Sequence, residues 1–242
     1  MIKLKDILFE NNPPNLLVPH RIEGRVEKYV QATIQKYIKD GSKGDLNLSK
    51  LALTELPHNL KNIKVGGNFN CSKNNLTSLE YAPSSVGGRF YCDYNQLTSL
   101  EGAPTSVGRD FYCNNNELTS LNGAPTSVHG DFYCGNNNLI SLDGAPKSVD
   151  GSFSCYGNNL ISLEGAPTRV GISFHSANNN LISLDGAPTS VGGDFDCSRN
   201  NLTSLKDAPT SVNGVFSCHS NTKKFTEEEV HIECDVTGTI YL

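Results

Sequence analysis

An unbroken repeat of 21 residues constrains this chain of 242 residues more than any other feature of its sequence. A phenylalanine opens each copy, and an asparagine follows five positions later. In the first seven copies two leucines lie seven and ten positions after the phenylalanine, and an Ala-Pro pair and a valine come next. The copies start at Phe69, Phe90, Phe111, Phe132, Phe153, Phe174, Phe195 and Phe216. A fixed period of this length is typical of repeat proteins, in which each repeat is one structural unit.

The residue types within the unit predict how it folds. Phe and Cys stand two positions apart, and because side chains alternate along a strand, both point to one face of a short strand. The repeated Asn is expected to hydrogen-bond backbone groups of the turn that leaves the strand, since buried polar groups need partners. Pro lacks a donor and fixes its own φ, so the Ala-Pro pair predicts an extended return segment on the opposite side. One unit cannot bury its own Phe and Leu, and stacked units therefore form a solenoid.

The pattern L-x-x-N-x-L-[TI]-S-L with a proline soon after resembles the short, bacterial-type leucine-rich repeat. Residues 46–63 show the likeness best, although this first unit is 23 residues long and carries Leu where later units carry Phe, Cys and Asn. The resemblance covers residues 45–221. It implies a repeat solenoid of the leucine-rich-repeat horseshoe class, with a parallel β-sheet on the concave face and a mostly extended convex side.

The ends of the chain are predicted to cap this solenoid. Apolar residues recur at a spacing of three and four over residues 20–40, which predicts an amphipathic helix that covers the open N-terminal end rather than a helix that binds a partner. Thr226 before three glutamates predicts a helix start, and residues 238–242 predict a last strand. The predicted regions are a propeptide or disordered arm at 1–10, an N-terminal helical cap at 11–44, the solenoid at 45–221 and a C-terminal cap at 222–242.

The first ten residues carry a short motif of their own. They end in Leu8-Phe-Glu10, which resembles the capsid-targeting propeptides of T-even-like phages, where a prohead protease cuts after a Leu-x-Glu or Ile-x-Glu sequence. The resemblance implies a cleavage after Glu10. The alternative is an ordinary amphipathic N-terminal turn, and the segment is kept apart from the fold.

Composition and charge exclude several classes of protein. No window approaches the roughly 18–20 apolar residues of a membrane span, and the charged N-terminus is not expected to be a secretory signal. A formal net charge of −5 disfavours a nucleic-acid binder. No nucleophile–base pair, phosphate loop or metal-ligand cluster is apparent. We therefore expect no enzyme activity, no cofactor, no metal, no nucleic acid and no membrane.

The eight cysteines are interpreted as core residues. Seven share one position of the repeat, and Ser176 takes that position in the unit that lacks one. Zinc ligands come in pairs two to four residues apart, whereas these cysteines lie at multiples of 21. Free Cys is a small apolar residue that is often buried, and eight unpaired thiols favour a reducing compartment.

The residues one before, one after and three after each Phe are predicted to point out into the concave face. They form a patch of tyrosines and carboxylates over residues 89–133, with two further candidates beyond it. Tyrosine is common in binding hot spots because it offers a large area at little entropic cost. The alternative is that these tyrosines only stabilise the sheet by cross-strand stacking. The candidate residues are Arg89, Tyr91, Asp93, Tyr94, Asp110, Tyr112, Asp131, Tyr133, Tyr156 and His175.

These observations lead to one functional hypothesis and two alternatives. The chain is interpreted as a non-enzymatic protein-binding module that takes a basic or Arg-rich surface on its Tyr/Asp face. Together with the propeptide resemblance, this predicts a phage protein in the bacterial host cytoplasm, or packaged in the virion head, that binds a host or virion protein. The alternatives are a structural component of the virion head and a carbohydrate-binding module.

Overall fold

The computed structural model describes residues 19–242, with side chains from residue 24 onward. Segment 1–10 and the predicted cut after Glu10 therefore lie outside the described residues. Over residues 19–242, no helix has the length and apolar character that crossing a membrane requires.

The helix predicted over residues 20–40 is confirmed as α1, Pro19–Lys39. Its residues Val30, Ile34 and Tyr37 are buried in the same apolar core as the first strand of the solenoid. The Tyr37 hydroxyl donates to the backbone carbonyl of Ser42 at 2.6 Å and accepts from the Gly66 N–H at 3.1 Å. The helix thus covers the first turn of the solenoid through apolar contacts and fixes its start through a buried phenol.

Each of the eight repeat units contributes a two-residue strand at its Phe, and these strands form one parallel sheet of ten with a strand at Leu46 and another at Ile240. Sequential units pair in register, so that each Phe lies beside the Phe of the next unit. The sheet runs in chain order from one end of the described chain to the other. Its strands are β1 (Leu46–Asn47), β3 (Phe69–Asn70), β5 (Phe90–Tyr91), β7 (Phe111–Tyr112), β9 (Phe132–Tyr133), β11 (Phe153–Ser154), β13 (Phe174–His175), β15 (Phe195–Asp196), β17 (Phe216–Ser217) and β19 (Ile240–Tyr241).

A second set of short parallel strands, which the sequence argument did not anticipate, lies a few residues before each Phe. They form sheets of three and six strands, with the break between the third and fourth strands. Glycine is common where these strands turn toward the large sheet, and a Cβ on Gly87 would lie 2.4 Å from the Gly66 carbonyl oxygen, although His129, Asp150 and Asn213 take the same position in other units. The strands are β2 (Lys64–Val65), β4 (Ser85–Val86), β6 (Ser106–Val107), β8 (Ser127–Val128), β10 (Ser148–Val149), β12 (Arg169–Val170), β14 (Ser190–Val191), β16 (Ser211–Val212) and β18 (Asp235–Val236).

The core between the two strand sets is the predicted one. The eight repeat phenylalanines are fully buried and lie 5.0–5.7 Å apart from centroid to centroid along the solenoid. The Cys, Leu and Val positions of the repeat are buried with them. Burial of this continuous column is what holds neighbouring units together, because no unit has a core of its own.

The repeated asparagine is confirmed as a hydrogen-bond spine, and it also joins neighbouring units. Asn137 donates through Nδ2 to the carbonyl of Cys134 in its own unit at 3.0 Å and to that of Cys113 in the preceding unit at 3.1 Å. Its Oδ1 accepts from the Leu118 N–H at 3.0 Å. The same pattern recurs along the solenoid, so each carboxamide closes its own turn and fastens the turn before it.

The C-terminal end closes the solenoid as the sequence predicted. Helix α2, Glu227–Glu233, starts at a capping box in which Thr226 accepts from the Glu229 N–H and the Glu229 side chain accepts from the Thr226 N–H. Strand β18 extends the six-stranded sheet, and β19, the predicted last strand, extends the large one. A short 3₁₀ helix, His58–Leu60, lies in the first unit.

Candidate functional site

The tyrosines lie on the outward side of the ten-stranded sheet, which we call the tyrosine face. Because each Phe points inward, the residue after it points outward, and the parallel register stacks these outward residues in one column. The rings of Tyr91 and Tyr112 are 4.8 Å apart with 11° between their planes, and those of Tyr112 and Tyr133 are 5.0 Å apart with 17°. The three side chains form a rigid, half-buried stack on an otherwise polar surface.

Asp110 lies beside this stack, and both of its oxygens are engaged. Its Oδ1 accepts from the Asp131 N–H at 3.1 Å. Its Oδ2 accepts from the Tyr112 hydroxyl at 3.3 Å and pairs with Nε of Arg89 at 2.6 Å. The carboxylate therefore joins two units, holds one tyrosine and neutralises one arginine.

Asp131 repeats the arrangement one unit further on. Its Oδ1 accepts from the Ser152 N–H at 2.7 Å, and its Oδ2 accepts from the Tyr133 hydroxyl at 3.1 Å. Side-chain oxygens in the same column take the equivalent backbone N–H in most units, so the column is a second hydrogen-bond ladder that the sequence argument missed. The other acceptors are Asp45, Asn68, Ser152, Ser173 and Asp194.

The electrostatics of the stack keep the phenols neutral. Burial, reinforced by the charge of Asp110, raises the pKa of Tyr112 well above its ordinary value. Burial, with Asp131 next, raises the pKa of Tyr133 to about 12. Both hydroxyls are therefore protonated donors at neutral pH, and the carboxylates beside them are their acceptors.

An open groove of about 490 Å³ runs along the other flank of the stack. Asp93 and Asn114 form its far side, from the column three residues after each Phe. Tyr156 closes one end. The lining residues are Tyr91, Asp93, Tyr112, Asn114, Tyr133 and Tyr156.

Tyr156 reaches the groove because its neighbour is a glycine. A Cβ on Gly135 would lie 2.5 Å from Cε1 of the Tyr156 ring, so the ring lies directly on the Gly135 backbone. The Tyr156 hydroxyl accepts from Nδ2 of Asn136 at 2.8 Å. The sequence argument selected Tyr156 but missed Gly135, Asn136 and Asn114, although Gly135 stands out as the glycine of its column.

Asp93 differs from the carboxylates on the opposite flank. Burial raises the pKa of this half-buried carboxyl, while its own backbone N–H and the charge of Lys73 lower it. Within the described residues, no cation forms a salt bridge with Asp93. The Lys73 ammonium lies instead over the Tyr94 ring, 5.2 Å from its centroid.

Two of the candidate residues take part neither in the groove nor in the contacts of the stack with Arg89, Asp110 and Asp131. Tyr94 has a left-handed backbone with φ of 54° and projects into solvent with half of its surface exposed. His175 shares the column of the stack but is separated from Tyr133 by Ser154, which carries no ring. The structure therefore brings together the candidates of residues 89–133 other than Tyr94, with Tyr156, and leaves Tyr94 and His175 aside.

The cysteines of the repeat are buried thiols with raised pKa values. The thiol of Cys113 donates to the carbonyl of Tyr133 at 3.3 Å, and the hydroxyl of Ser176 makes the equivalent bond to Asp196 at 3.0 Å. All eight cysteines are free and buried, and burial raises the pKa of Cys218 and Cys234 to about 11. Residues 24–242 contain no cluster of His, Cys, Asp and Glu that could hold a metal ion.

A column of exposed isoleucines is a second surface that the sequence argument missed. Ile140, Ile161 and Ile182 occupy one position in three consecutive units and are 58–68% exposed. The other full units carry Thr there. The signal in the sequence is the change from Thr to Ile at this one position. Both residues are β-branched and suit the same backbone, so the change is mainly one of polarity.

Comparison with known proteins bears on the fold. No known family matches the chain, and no curated protein matches it. The chain is similar to the leucine-rich-repeat domain of a Shigella effector, with a TM-score of 0.50 and 15% identity over 88% of each chain. It is also similar to YopM from Yersinia enterocolitica WA-314, with a TM-score of 0.49 and 18% identity over 80% of this chain and 50% of that one. With its register and its parallel sheets, the chain is a leucine-rich-repeat solenoid.

Proposed function

We propose that this chain is a non-enzymatic protein-binding module whose recognition surface is the tyrosine face. The observation that carries the proposal is the stack of Tyr91, Tyr112 and Tyr133, held by ring contacts and by Asp110 and Asp131 before any partner arrives. Side chains that are already ordered lose little conformational entropy on binding, and aromatic residues dominate binding energies at interfaces. The similar Shigella domain belongs to an effector, which is compatible with such a role.

The charge of the solenoid together with its C-terminal cap favours a basic partner. Residues 45–242 contain 12 Lys and Arg against 20 Asp and Glu, a formal charge of −8. Opposite charge steers association and suppresses wrong partners.

A structural role for the tyrosines is the second candidate, and one observation favours it. The two hydroxyl bonds to Asp110 and Asp131 and the ring stacking all join residues of this chain. Under this alternative the solenoid is a spacer in a virion head. A sugar is a poorer fit to the stack, because both faces of the central Tyr112 ring are covered by its neighbours and sugars bind aromatic rings through open faces.

The phage assignment is the finer part of the proposal, and its support is the Leu8-Phe-Glu10 motif alone. We propose that the chain is made in the host cytoplasm, which the buried neutral thiols suit, and that it is cut after Glu10 when packaged. Incubation with a T-even-type prohead protease followed by intact-mass measurement tests this. Loss of the first ten residues supports it, whereas an uncut chain contradicts it.

The test of the binding role replaces Tyr91, Tyr112 and Tyr133 together by Ser. Serine is the residue that Ser154 and Ser217 place at this position in other units, so the variant is expected to fold. A control variant carries Thr at Ile140, Ile161 and Ile182, the residue of that column elsewhere.

Proteins captured from bacterial lysate by the wild type are identified, purified and titrated against both variants. Loss of affinity in the folded Tyr→Ser variant, with the Ile→Thr variant unchanged, supports the proposal. Equal affinity of the two variants contradicts it. A Tyr→Ser variant whose melting temperature collapses favours the structural role instead.

A further inference from the structure

We propose that the groove beside the tyrosine stack receives an arginine side chain of the protein partner, with its guanidinium on Asp93 and its aliphatic stem along the edges of Tyr112 and Tyr133. This inference rests on the proposed binding role and specifies the chemistry that the partner must present. Three features support it: the carboxylates beside the stack, the change in polarity along the groove, and an arginine that already lies on this face.

The carboxylates beside the tyrosine stack differ in whether their oxygens already have hydrogen-bond partners. Asp110 and Asp131 each use one oxygen for a backbone N–H of the next unit and the other for a tyrosine hydroxyl. Asp93 receives no hydrogen bond from another side chain and no salt bridge within the described residues. A half-buried carboxylate that no cation contacts directly, Lys73 lying over Tyr94 instead, is a favourable place for one, since burial strengthens the charge–charge interaction that a ligand would supply.

The groove is acidic at one end and aromatic at the other. Asp93 lies in the unit of Tyr91, whereas the opposite end is bounded by the rings of Tyr133 and Tyr156. A ligand lying along it therefore meets a carboxylate at one end and aromatic carbon over the next two rungs. Arginine and lysine have this order of groups, with an apolar stem that packs on hydrocarbon and a charged head.

The chain itself shows how an arginine lies on this face. On the opposite flank, Arg89 reaches from its own unit to Asp110 in the next, at 2.6 Å. The pair shows that a guanidinium can lie beside the stack on an outward-facing carboxylate. An external arginine on Asp93 would make the equivalent pair on the other flank.

Arginine suits the groove better than lysine for a geometric reason. Its planar fork donates two parallel bonds to a carboxylate and packs flat beside aromatic rings, whereas an ammonium is a strongly hydrated point charge.

The inference is tested by NMR titration of the full chain with N-acetyl-L-arginine amide. The uncharged isostere N-acetyl-L-citrulline amide, the lysine analogue and maltotriose serve as comparison ligands. We expect saturable shifts at Asp93, Asn114 and Tyr156, with citrulline at least about tenfold weaker, since bonds to charged groups are worth about 1.5–3 kcal/mol. Equal shifts with citrulline, stronger binding of maltotriose, or no saturable shift at all would overturn the proposal.

Two variants locate the site. Asp93→Asn removes the charge and introduces the residue that Asn114 places in the same column, so folding is expected; arginine affinity should fall about tenfold or more. Asp143→Asn removes an exposed carboxylate outside the groove and should leave affinity unchanged. Gly135→Ala should displace Tyr156 and weaken binding without removing any charge. An unchanged arginine affinity in Asp93→Asn refutes the assignment.

Failure of this inference is distinguishable from failure of the proposed function. If the Tyr→Ser variant loses its partner but arginine does not bind, the tyrosine face is a binding surface and the arginine assignment is wrong. If arginine binds at Asp93 but the Tyr→Ser variant keeps its partner, the groove is a real site and the proposed role of the stack is wrong.

Discussion

Replacing Asn137 by Ala is the sharpest test of how this solenoid is held together. The side chain is 7% exposed and makes four hydrogen bonds, to the Leu118 N–H and to the carbonyls of Cys113, Cys134 and Gly135. The carbonyls keep other donors after the change, because each accepts from a second asparagine or a backbone N–H. The Leu118 N–H is left buried without a partner.

The magnitude follows from this accounting. An orphaned buried donor costs about 1–3 kcal/mol, and each of the two lost amide N–H donors, shared among three still-satisfied carbonyls, contributes about 0.5–1.5 kcal/mol. We expect Asn137→Ala to lower the free energy of unfolding by about 2–6 kcal/mol, measured by urea denaturation. The neighbouring Asn138 is the matched control, since its side chain is exposed and makes no hydrogen bond within the described residues. Asn138→Ala should change stability by less than about 0.5 kcal/mol.

Asn137→Asp separates the loss of the donor from the loss of volume. The isosteric carboxylate keeps the acceptor for Leu118 but turns an oxygen toward the carbonyls of Cys113 and Cys134. Protonation restores a donor, so the folded protein should raise the pKa of this carboxyl above its unfolded value of about 3.9. Relative to the wild type, the variant should therefore be least destabilised below that pH and lose stability as the pH rises. Two results would contradict the role of the repeated asparagines in joining the units. One is an Asn137→Asp variant as stable as the wild type at neutral pH, and the other is a loss of under about 1 kcal/mol in Asn137→Ala.

Three other predictions concern the core, the stack and the turns. Phe132→Ala should lower the free energy of unfolding by about 3–5 kcal/mol because the ring is fully buried between its neighbours, and a near-neutral result in a denaturant melt would contradict the strand register. The pKa of Tyr133 at about 12 is above the unfolded value of about 10, so the stability it contributes is present below pH 10 and is lost as pH rises toward 12; pH-dependent melting should show a larger loss in the wild type than in Tyr133→Phe, in which Tyr112 and the buried thiols still titrate. Tyr94→Asn should raise the melting temperature, because it removes about 1 kcal/mol of backbone strain from a left-handed residue. Asn occupies the same left-handed position at Asn115, Asn136 and Asn178. A lower melting temperature would show instead that the contact of Tyr94 with Lys73 is stabilising.

The fold was predictable because its signal is repeated. Eight copies of Phe at one spacing leave a single way to bury the ring, and the Asn five positions on has a single way to be satisfied once it is inside. The Ser-Val strands escaped prediction because the Ala-Pro pair indicates an extended segment without showing which of its residues pair, and their pairing depends on the large sheet that aligns them. The left-handed residue four positions after each Phe also escaped, since Tyr94 and Arg199 have no special preference for that conformation.

The column of tyrosines in the candidate site could be predicted from the sequence, but the groove beside it could not. Alternation along a strand places Tyr91, Tyr112 and Tyr133 on one face, which the sequence shows. The engagement of Asp110 was visible in principle, because nearly every residue in its column is an Asp, Asn or Ser that can accept a backbone N–H. The position of Tyr156 depends on a side-chain rotamer over Gly135, and no pattern in the sequence specifies a rotamer.

The two roles considered for the tyrosines are compatible because they use different parts of the same side chains. The hydroxyls of Tyr112 and Tyr133 are directed to Asp110 and Asp131 on one flank, and the ring faces are covered within the stack. What remains accessible is the set of ring edges on the flank of Asp93, where the groove lies. The bonds that order the stack therefore also select the flank on which a partner can bind. A substitution that removes only the hydroxyl, such as Tyr112→Phe, should loosen the stack while leaving the groove chemistry intact, whereas Asp93→Asn should do the reverse.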